Sequence, residues 1–153
     1  MAFLRTVILL LSTLGPIVAA SSPGRNKKSW SPIKHIGDGG SLGSVLSGAV
    51  ATKDLLFIGG TTPSVNGTVP EGIEAQATAV INNIAAILEE AGTSWENVLK
   101  TTVYLASMDD YAAMNAIYGS MLPNPKPARS TIEVGLPLNF SIEIEAVAAL
   151  PPY

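Results

Sequence analysis

Cysteine is absent from this sequence of 153 residues, and histidine occurs only once, as His35. A chain without thiols forms no disulfide bonds, has no thiol nucleophile and offers no cysteine ligands to a metal. A metal site would therefore depend on oxygen ligands alone, and no loop has the ligand spacing of a calcium site. The sequence predicts no metal site, and it predicts that His35 is a solvated side chain.

Charge is also scarce, since charged residues make up 14% of the chain and the net charge is −3. Nucleic-acid binding relies on clustered lysine and arginine side chains that neutralise phosphates. The only basic cluster is small and consists of Arg25, Lys27 and Lys28. The composition therefore predicts no nucleic-acid partner.

Long hydrophobic runs are missing everywhere except in the first twenty residues. There, Arg5 precedes an apolar run at positions 7–11, and small residues at 18–20 lead to Ser21. This pattern is typical of a secretory signal peptide that is cleaved after Ala20. We expect a signal peptide at 1–20, a protein in the secretory pathway or outside the cell, and no membrane association after cleavage. An uncleaved anchor or a misassigned start remains the alternative.

Two Asn-X-Ser/Thr triplets begin at Asn66 and Asn139. Such triplets accept N-linked glycans in secreted proteins when they lie on the surface. Asn66 lies among glycine and proline residues that indicate a loop, so we expect Asn66 to be the glycosylated residue.

The remaining chain has room for one hydrophobic core, and 47% of all residues are apolar. Residues 21–38 are polar and interrupted by Pro23, Gly24, Pro32 and Gly37. We therefore interpret 21–38 as a flexible leader and 39–153 as a single domain.

Hydrophobic periodicity gives the order of elements in this domain. Period-2 or dense apolar patterns predict strands, and apolar residues three and four apart predict helices. The predicted strands cover 44–50, 54–58, 98–105, 128–134 and 140–150, and the predicted helices cover 72–91 and 107–122. The second helix has a capping box at Ser107–Asp110 and a predicted buried stripe of Tyr111, Met114, Tyr118 and Met121. The order β-β-α-β-α-β-β predicts an α+β fold, a mixed sheet with both helices on one face.

Alternation in the last two strands predicts a polar face. In the first of them Ala128, Ser130, Ile132 and Val134 alternate with Arg129, Thr131 and Glu133; in the second Ile142, Ile144, Ala146 and Ala148 alternate with Glu143 and Glu145. We expect one face of the sheet to present Arg129, Thr131, Glu133, Glu143 and Glu145 together. Because helices on one face leave the other open, this polar face contacts either solvent or another subunit.

Four segments of the domain resemble the Rid family, the YjgF-like reactive-intermediate deaminases. They are 98–105 (VLKTTVYL), 111–115 with Tyr118, 127–130 (PARS) and 142–147 (IEIEAV), in the family's order and spacing. The resemblance covers roughly Gly43 to the end. It implies a chorismate-mutase-like fold and a homotrimer formed through the open sheet face, with clefts between subunits.

The resemblance also implies roles for individual residues. In the family, the arginine matching Arg129 binds a substrate carboxylate, and the glutamate matching Glu143 orients or activates water. The asparagine matching Asn115 lies near the cleft, and Thr131 stands where a cysteine is common. The backbone N–H of Gly60 is a further candidate for holding a carboxylate.

These residue types suit hydrolysis of enamines and imines, such as 2-aminoacrylate, to 2-keto acids and ammonia. An arginine fork holds a carboxylate through two charge-assisted hydrogen bonds, and a glutamate accepts a proton from water. This chemistry requires no cofactor. A structural salt bridge from Arg129 to Glu133 or Glu145 remains the alternative role of Arg129.

Three departures from the family pattern support other functions. Val45 stands near the place of a family tyrosine, Gly59 replaces a serine, and Thr131 replaces the cysteine. The alternatives to deamination are a divergent enzyme of secondary metabolism, such as an isomerase, a cyclase or another imine hydrolase, and a non-catalytic small-molecule-binding protein.

Overall fold

A computed structural model describes residues 33–37 and 45–152 of the chain. Two 3-10 turns, Trp95–Asn97 and Met108–Asp110, lie directly before the fourth strand and the second helix. The strands and helices are β1 Lys34–Ile36, β2 Ala49–Ala51, β3 Leu55–Thr61, α1 Ile73–Glu90, β4 Val98–Leu105, α2 Tyr111–Met121, β5 Ala128–Glu133 and β6 Ile142–Ala149.

The strands form one mixed sheet in the order β1-β2-β3-β6-β4-β5. Strands β4 and β5 are parallel, and the other neighbouring pairs are antiparallel. A parallel pair needs a crossover connection, which α2 provides. The predicted fold class, a mixed sheet with two helices on one face, is confirmed.

Strand β1 lies inside the segment that was predicted to be a flexible leader. Lys34–Ile36 pairs antiparallel with Ala49–Ala51, and Ile36 is buried. Three residues are too few for a period-2 pattern, so the sequence alone did not indicate this strand. The first predicted strand, 44–50, is shortened to Ala49–Ala51. The predicted signal peptide at 1–20 and most of the leader lie outside the described residues.

The core lies between the sheet and the two helices. Helix α1 contributes Val80, Ile84 and Leu88, which are fully buried against the side chains of β3, β4 and β6. The observed bounds of α1, Ile73–Glu90, agree with the predicted helix at 72–91 because its apolar stripe is continuous. Within the described residues, neither helix is long and apolar enough to cross a membrane.

Strand registers decide which face of the sheet each side chain occupies, because directly paired residues share a face. Thr101 of β4 pairs with Arg129 on one side and with Ala146 on the other. Thr101 and Ala146 are buried beneath the helices. Arg129 therefore lies on the helix-covered face.

Glu143 and Glu145 lie on the opposite, open face, since Glu143 pairs with Tyr104 and Glu145 with Thr102. The prediction that Glu143 and Glu145 share a face with Arg129 is therefore wrong, whereas Thr131 and Glu133 do lie on the same face as Arg129. Alternation separates the two sets of side chains within each strand, but it does not say which set faces the helices. At the sheet edge, the side chains of Arg129, Thr131 and Glu133 in β5 point toward α2. The side chain of Ile132 points toward the open face.

Charged residues from one segment bond to both ends of α2. Lys126 donates hydrogen bonds to the carbonyl oxygens of Gly119 and Leu122 at the C-terminal end. Glu133 accepts one from the backbone N–H of Met108 at the N-terminal end, with an N···O distance of 2.7 Å. A cation at the C-terminus and an anion at the N-terminus of a helix both stabilise it.

Truncation of a core leucine tests this account of the core. We expect Leu88→Ala to lower the free energy of unfolding by about 2–5 kcal/mol, because it leaves a cavity between α1 and the sheet. The matched control is Leu99→Ala, since Leu99 is 52% exposed in β4. Denaturant unfolding of both variants measures the difference, and equal losses would contradict the assignment of the core.

Candidate functional site

Arg129 extends from β5 beneath α2 and packs on two tyrosines. Its guanidinium carbon lies 4.8 Å from the ring centre of Tyr118 and 5.8 Å from that of Tyr111. Nη2 donates to the Tyr111 hydroxyl at 3.4 Å, and Nη1 lies 3.9 Å from the sulfur of Met114. Aromatic faces attract a guanidinium, so α2 holds the cation at the sheet edge. We call Arg129, Thr131, Tyr111, Met114 and Tyr118 the arginine patch.

Helical spacing brings the α2 members of this patch together. Tyr111, Met114 and Tyr118 are three and four residues apart and therefore share one helix face. Met114 and Tyr118 are buried as predicted, whereas Tyr111 is 40% exposed because its ring covers the guanidinium and not the core. The Tyr118 hydroxyl shares a 2.8 Å hydrogen bond with the Thr101 hydroxyl, which fixes the tyrosine ring against the guanidinium of Arg129.

Tyr111 and Tyr118 were not predicted as site residues, because both belong to the predicted buried stripe of α2. A buried tyrosine hydroxyl needs a polar partner, so two tyrosines in a predicted buried stripe already indicated polar neighbours for that stripe. Burial raises the pKa of the Tyr118 phenol, although the bond to Thr101 opposes the shift. The side chain of Asn115 and the charge of Arg129 lower the pKa of the Tyr111 phenol.

Arg129 has no carboxylate within 4.0 Å among residues 33–37 and 45–152. Glu133 bonds to the N-terminal end of α2, and Glu145 lies on the other face of the sheet. The alternative of a structural salt bridge to either glutamate is therefore not realised. A half-buried cation without a counterion is suited to binding an external anion.

Thr131 follows two residues after Arg129 and points to the same side. Its hydroxyl oxygen is buried and has no hydrogen-bond partner within the described part of the chain. An unpaired buried hydroxyl costs free energy unless a ligand or water satisfies it. The Thr131 hydroxyl is therefore a buried, unpaired polar group on the same face of β5 as the cation.

Gly60 and Glu143 form a second patch on the open face. A Cβ atom built on Gly60 would lie 2.9 Å from Cδ of Glu143, so the carboxylate rests directly on the glycine backbone. We call these two residues, with the neighbouring Tyr104 and Glu145, the glutamate patch. Gly60 belongs to an irregular stretch of β3 where the register with β6 shifts.

Burial and the nearby charge of Glu145 raise the pKa of the Glu143 carboxyl. Burial and the same glutamate raise the pKa of the Tyr104 phenol. A carboxylate with a raised pKa accepts a proton more readily, which suits a general base.

The rest of the open face carries apolar side chains and a shallow groove. The groove has a volume of about 380 Å³ and is lined by residues that include Phe57, Lys100 and Val147. Phe57 is 46% and Ile132 47% exposed. Exposed large apolar side chains on an open sheet face are typical of surfaces that take part in binding.

The other sequence-predicted residues lie away from both patches. Nδ1 of His35 forms a 2.7 Å hydrogen bond with the Ser47 hydroxyl on the surface. Asn66 is exposed in a tight turn with φ 51°. Within the described ranges, no group of three or more histidine, aspartate and glutamate side chains is arranged to hold a metal ion.

Comparison with known proteins identifies relatives along most of the domain. The family model described as endoribonuclease L-PSP matches residues 43–150. A RutC family protein of Synechocystis is 46% identical over 109 residues, which are 67% of this chain and 84% of the relative. The 2-iminobutanoate/2-iminopropanoate deaminase of Mus musculus is 37% identical over 111 residues, 70% of this chain and 82% of the relative.

Solved structures show the same fold. RidA from the Antarctic bacterium Psychrobacter has a TM-score of 0.68 and 34% identity, covering 69% of this chain and 89% of its own. E. coli TdcF with bound serine has a TM-score of 0.67 and 28% identity, covering 69% of this chain and 88% of its own.

The prediction of a secretory or extracellular location is wrong. The Schizosaccharomyces pombe protein mmf2, 40% identical over 71% of this chain and 90% of its own length, is mitochondrial. Reactive Intermediate Deaminase A of Arabidopsis thaliana, 40% identical over 68% of this chain and 58% of its own length, is chloroplastic. The glycan predicted at Asn66 depends on the secretory route and loses its basis.

The family model spans more than half of the chain, and the relatives agree with it in sequence and in fold. This chain therefore belongs to the endoribonuclease L-PSP family, the family of the Rid, YjgF and RutC proteins.

Proposed function

We propose that this protein hydrolyses enamine and imine intermediates of the 2-aminoacrylate type to 2-keto acids and ammonia. The observation that carries the proposal is Arg129, a half-buried cation held by tyrosines with no carboxylate near it in the described residues. Two relatives support it by name: the mouse protein is an imine deaminase, and TdcF was solved with serine, an amino acid, bound.

The chemistry needs a held carboxylate and an activated water. Arg129 binds the substrate carboxylate with its planar fork through two charge-assisted hydrogen bonds. 2-Aminoacrylate first takes a proton from solvent on its CH2 carbon and becomes the iminium form. Glu143 then accepts a proton from water as the oxygen attacks the iminium carbon, which gives a neutral carbinolamine. Glu143 returns this proton to the nitrogen, ammonia leaves, and the hydroxyl proton passes to solvent as the carbonyl of the 2-keto acid forms. No cofactor takes part in these steps.

Arg129 and Glu143 point away from each other in one subunit, because they lie on opposite faces of the sheet. Both reach one small substrate only if they come from different subunits. We therefore place the site between subunits of a homotrimer that covers the open face. In that cleft the backbone N–H of Gly60 and the carboxylate of Glu143 face Arg129 and Thr131 of the neighbouring subunit.

Replacement of Arg129 tests the role of the cation. We expect Arg129→Lys to lower kcat/KM about 10- to 100-fold, because lysine keeps the charge but loses the fork that grips both carboxylate oxygens. The assay couples the protein to a cysteine or serine lyase that releases 2-aminoacrylate and follows imine decay. Lys53→Ala is the control, since Lys53 is an exposed cation next to Asp54. If the wild type does not accelerate the decay but binds pyruvate, the protein is a binding protein and the deaminase proposal is wrong.

Replacement of Glu143 tests the general base. We expect Glu143→Gln to lower kcat with little change in KM, because the amide does not accept the proton from water. In the wild type, kcat should rise with pH through an apparent pKa above the ordinary glutamate value of 4.5. A profile that is flat across this range in the wild type would contradict the assignment.

The same raised pKa has a consequence for stability. A carboxyl whose pKa is raised by folding stabilises the fold below its unfolded pKa, and this contribution is lost as the pH rises through the folded pKa. We therefore expect Glu143→Gln to be more stable relative to the wild type at pH 7 than at pH 4. Thermal unfolding at both pH values measures this, with the exposed Glu71→Gln as the control.

The contact between Gly60 and Glu143 is tested by adding one methyl group. We expect Gly60→Ala to displace the Glu143 carboxylate and to lower kcat nearly as much as Glu143→Gln, with the fold retained. Combining the two changes should add little, because both remove the same function. Gly135→Ala is the matched control, since an added Cβ there has no neighbour within 4 Å. Full additivity of Gly60→Ala and Glu143→Gln would show that the glycine acts independently.

A further inference from the structure

The two tyrosines beside Arg129 differ in what their hydroxyl groups do. The Tyr118 hydroxyl is buried and bonded to Thr101, so it stabilises the packing of α2 on β4. The Tyr111 side chain is 40% exposed, and its hydroxyl accepts a hydrogen bond from Nη2 of Arg129. The Tyr111 hydroxyl is thus a polar group whose observed partner is the guanidinium itself.

An arginine side chain needs such a contact to present its fork in one orientation. Four flexible side-chain bonds separate the guanidinium from the backbone, and ordering them on binding costs conformational entropy. The ring of Tyr118 fixes the plane on which the guanidinium lies, because a cation is attracted to the aromatic face. A ring face alone leaves the guanidinium free to rotate in that plane. A hydrogen bond to Nη2 removes this freedom.

We propose that Tyr111 is a positioning residue that orients the fork of Arg129 toward an incoming carboxylate. The Tyr111 hydroxyl accepts a hydrogen bond from Nη2 on the side facing α2. The other N–H groups of the guanidinium remain available to the ligand. This inference rests on the proposed carboxylate-binding role of Arg129, and it does not depend on the reaction that follows.

Asn115 then acts on the ligand through Tyr111. It lies one helical turn after Tyr111, on the same face of α2. The side chain of Asn115, first, and the charge of Arg129 both lower the pKa of the Tyr111 phenol. The resemblance implied only that Asn115 lies near the cleft, and this proposal gives it the role of supporting Tyr111.

Removal of the Tyr111 hydroxyl tests the proposal without removing the ring. We expect Tyr111→Phe to weaken the binding of pyruvate, a 2-keto acid, about 3- to 10-fold by calorimetry. In turnover, KM should rise by a similar factor while kcat changes little, since Tyr111 does not touch the reacting atoms. The control is Ser120→Ala, which removes an exposed hydroxyl from the same helix. Unchanged pyruvate affinity in a folded Tyr111→Phe variant overturns the proposal.

A second measurement reports on the contact independently of activity. In protein labelled with ¹³Cζ-tyrosine, the Tyr111 resonance is the one that Tyr111→Phe removes, and its titration gives the pKa of the phenol. We expect Arg129→Gln to raise this pKa, because the neighbouring positive charge is lost. No shift means that the two side chains are not in contact in solution and overturns the proposal.

The two proposals fail in different ways. A wild type that binds pyruvate but does not hydrolyse 2-aminoacrylate overturns the deaminase function and leaves the role of Tyr111 intact. Hydrolysis that depends on Arg129 while Tyr111→Phe keeps full pyruvate affinity overturns the role of Tyr111 alone. A wild type that neither binds pyruvate nor accelerates the decay of 2-aminoacrylate overturns both.

Discussion

Helix α2 is attached to the edge of the sheet by three charged side chains from one short segment of the chain. Lys126 bonds to its C-terminal end, Glu133 bonds to the turn at its N-terminal end, and Arg129 lies between them against Tyr118. The two end contacts match the polarity of the helix dipole. Because both ends are held, the distance from β5 to the face of α2 that carries Tyr111 is set within a single subunit. The arginine patch is therefore preorganised before any other subunit or ligand binds.

The glutamate patch depends on a different constraint, the absence of a side chain at Gly60. Glu143 occupies the space that a Cβ atom would fill, in a partly buried environment that raises the pKa of its carboxyl. The two patches lie on opposite faces of one sheet, so within one subunit they do not face each other. The exposed apolar side chains of the open face, among them Phe57 and Ile132, provide the surface through which subunits join in the proposed homotrimer.

Sequence patterns predicted the helices and the mixed sheet well, because the apolar stripe of α1 and the β-branched run of β4 have strong periodicity. The order and spacing of the family segments also singled out Arg129 and Glu143, whose roles stay predictions. The sequence did not reveal which face of β5 lies under α2, since alternation is symmetric and β5 is a partly covered edge strand. It also missed the role of Tyr111, because a tyrosine in a helical stripe has the same pattern whether it packs in the core or against a guanidinium. Strand β1 was missed because it has only three residues.

The most direct test of the central claim, that each site combines Arg129 of one subunit with Glu143 of another, is complementation between two inactive variants. Arg129→Ala and Glu143→Gln are unfolded together in equal amounts and refolded, and the hydrolysis of 2-aminoacrylate is measured. Random assembly gives intact pairs of Arg129 and Glu143 in about one quarter of the clefts of a trimer, so about one quarter of the wild-type activity should return. A mixture that stays as inactive as its two components would contradict a site shared between subunits.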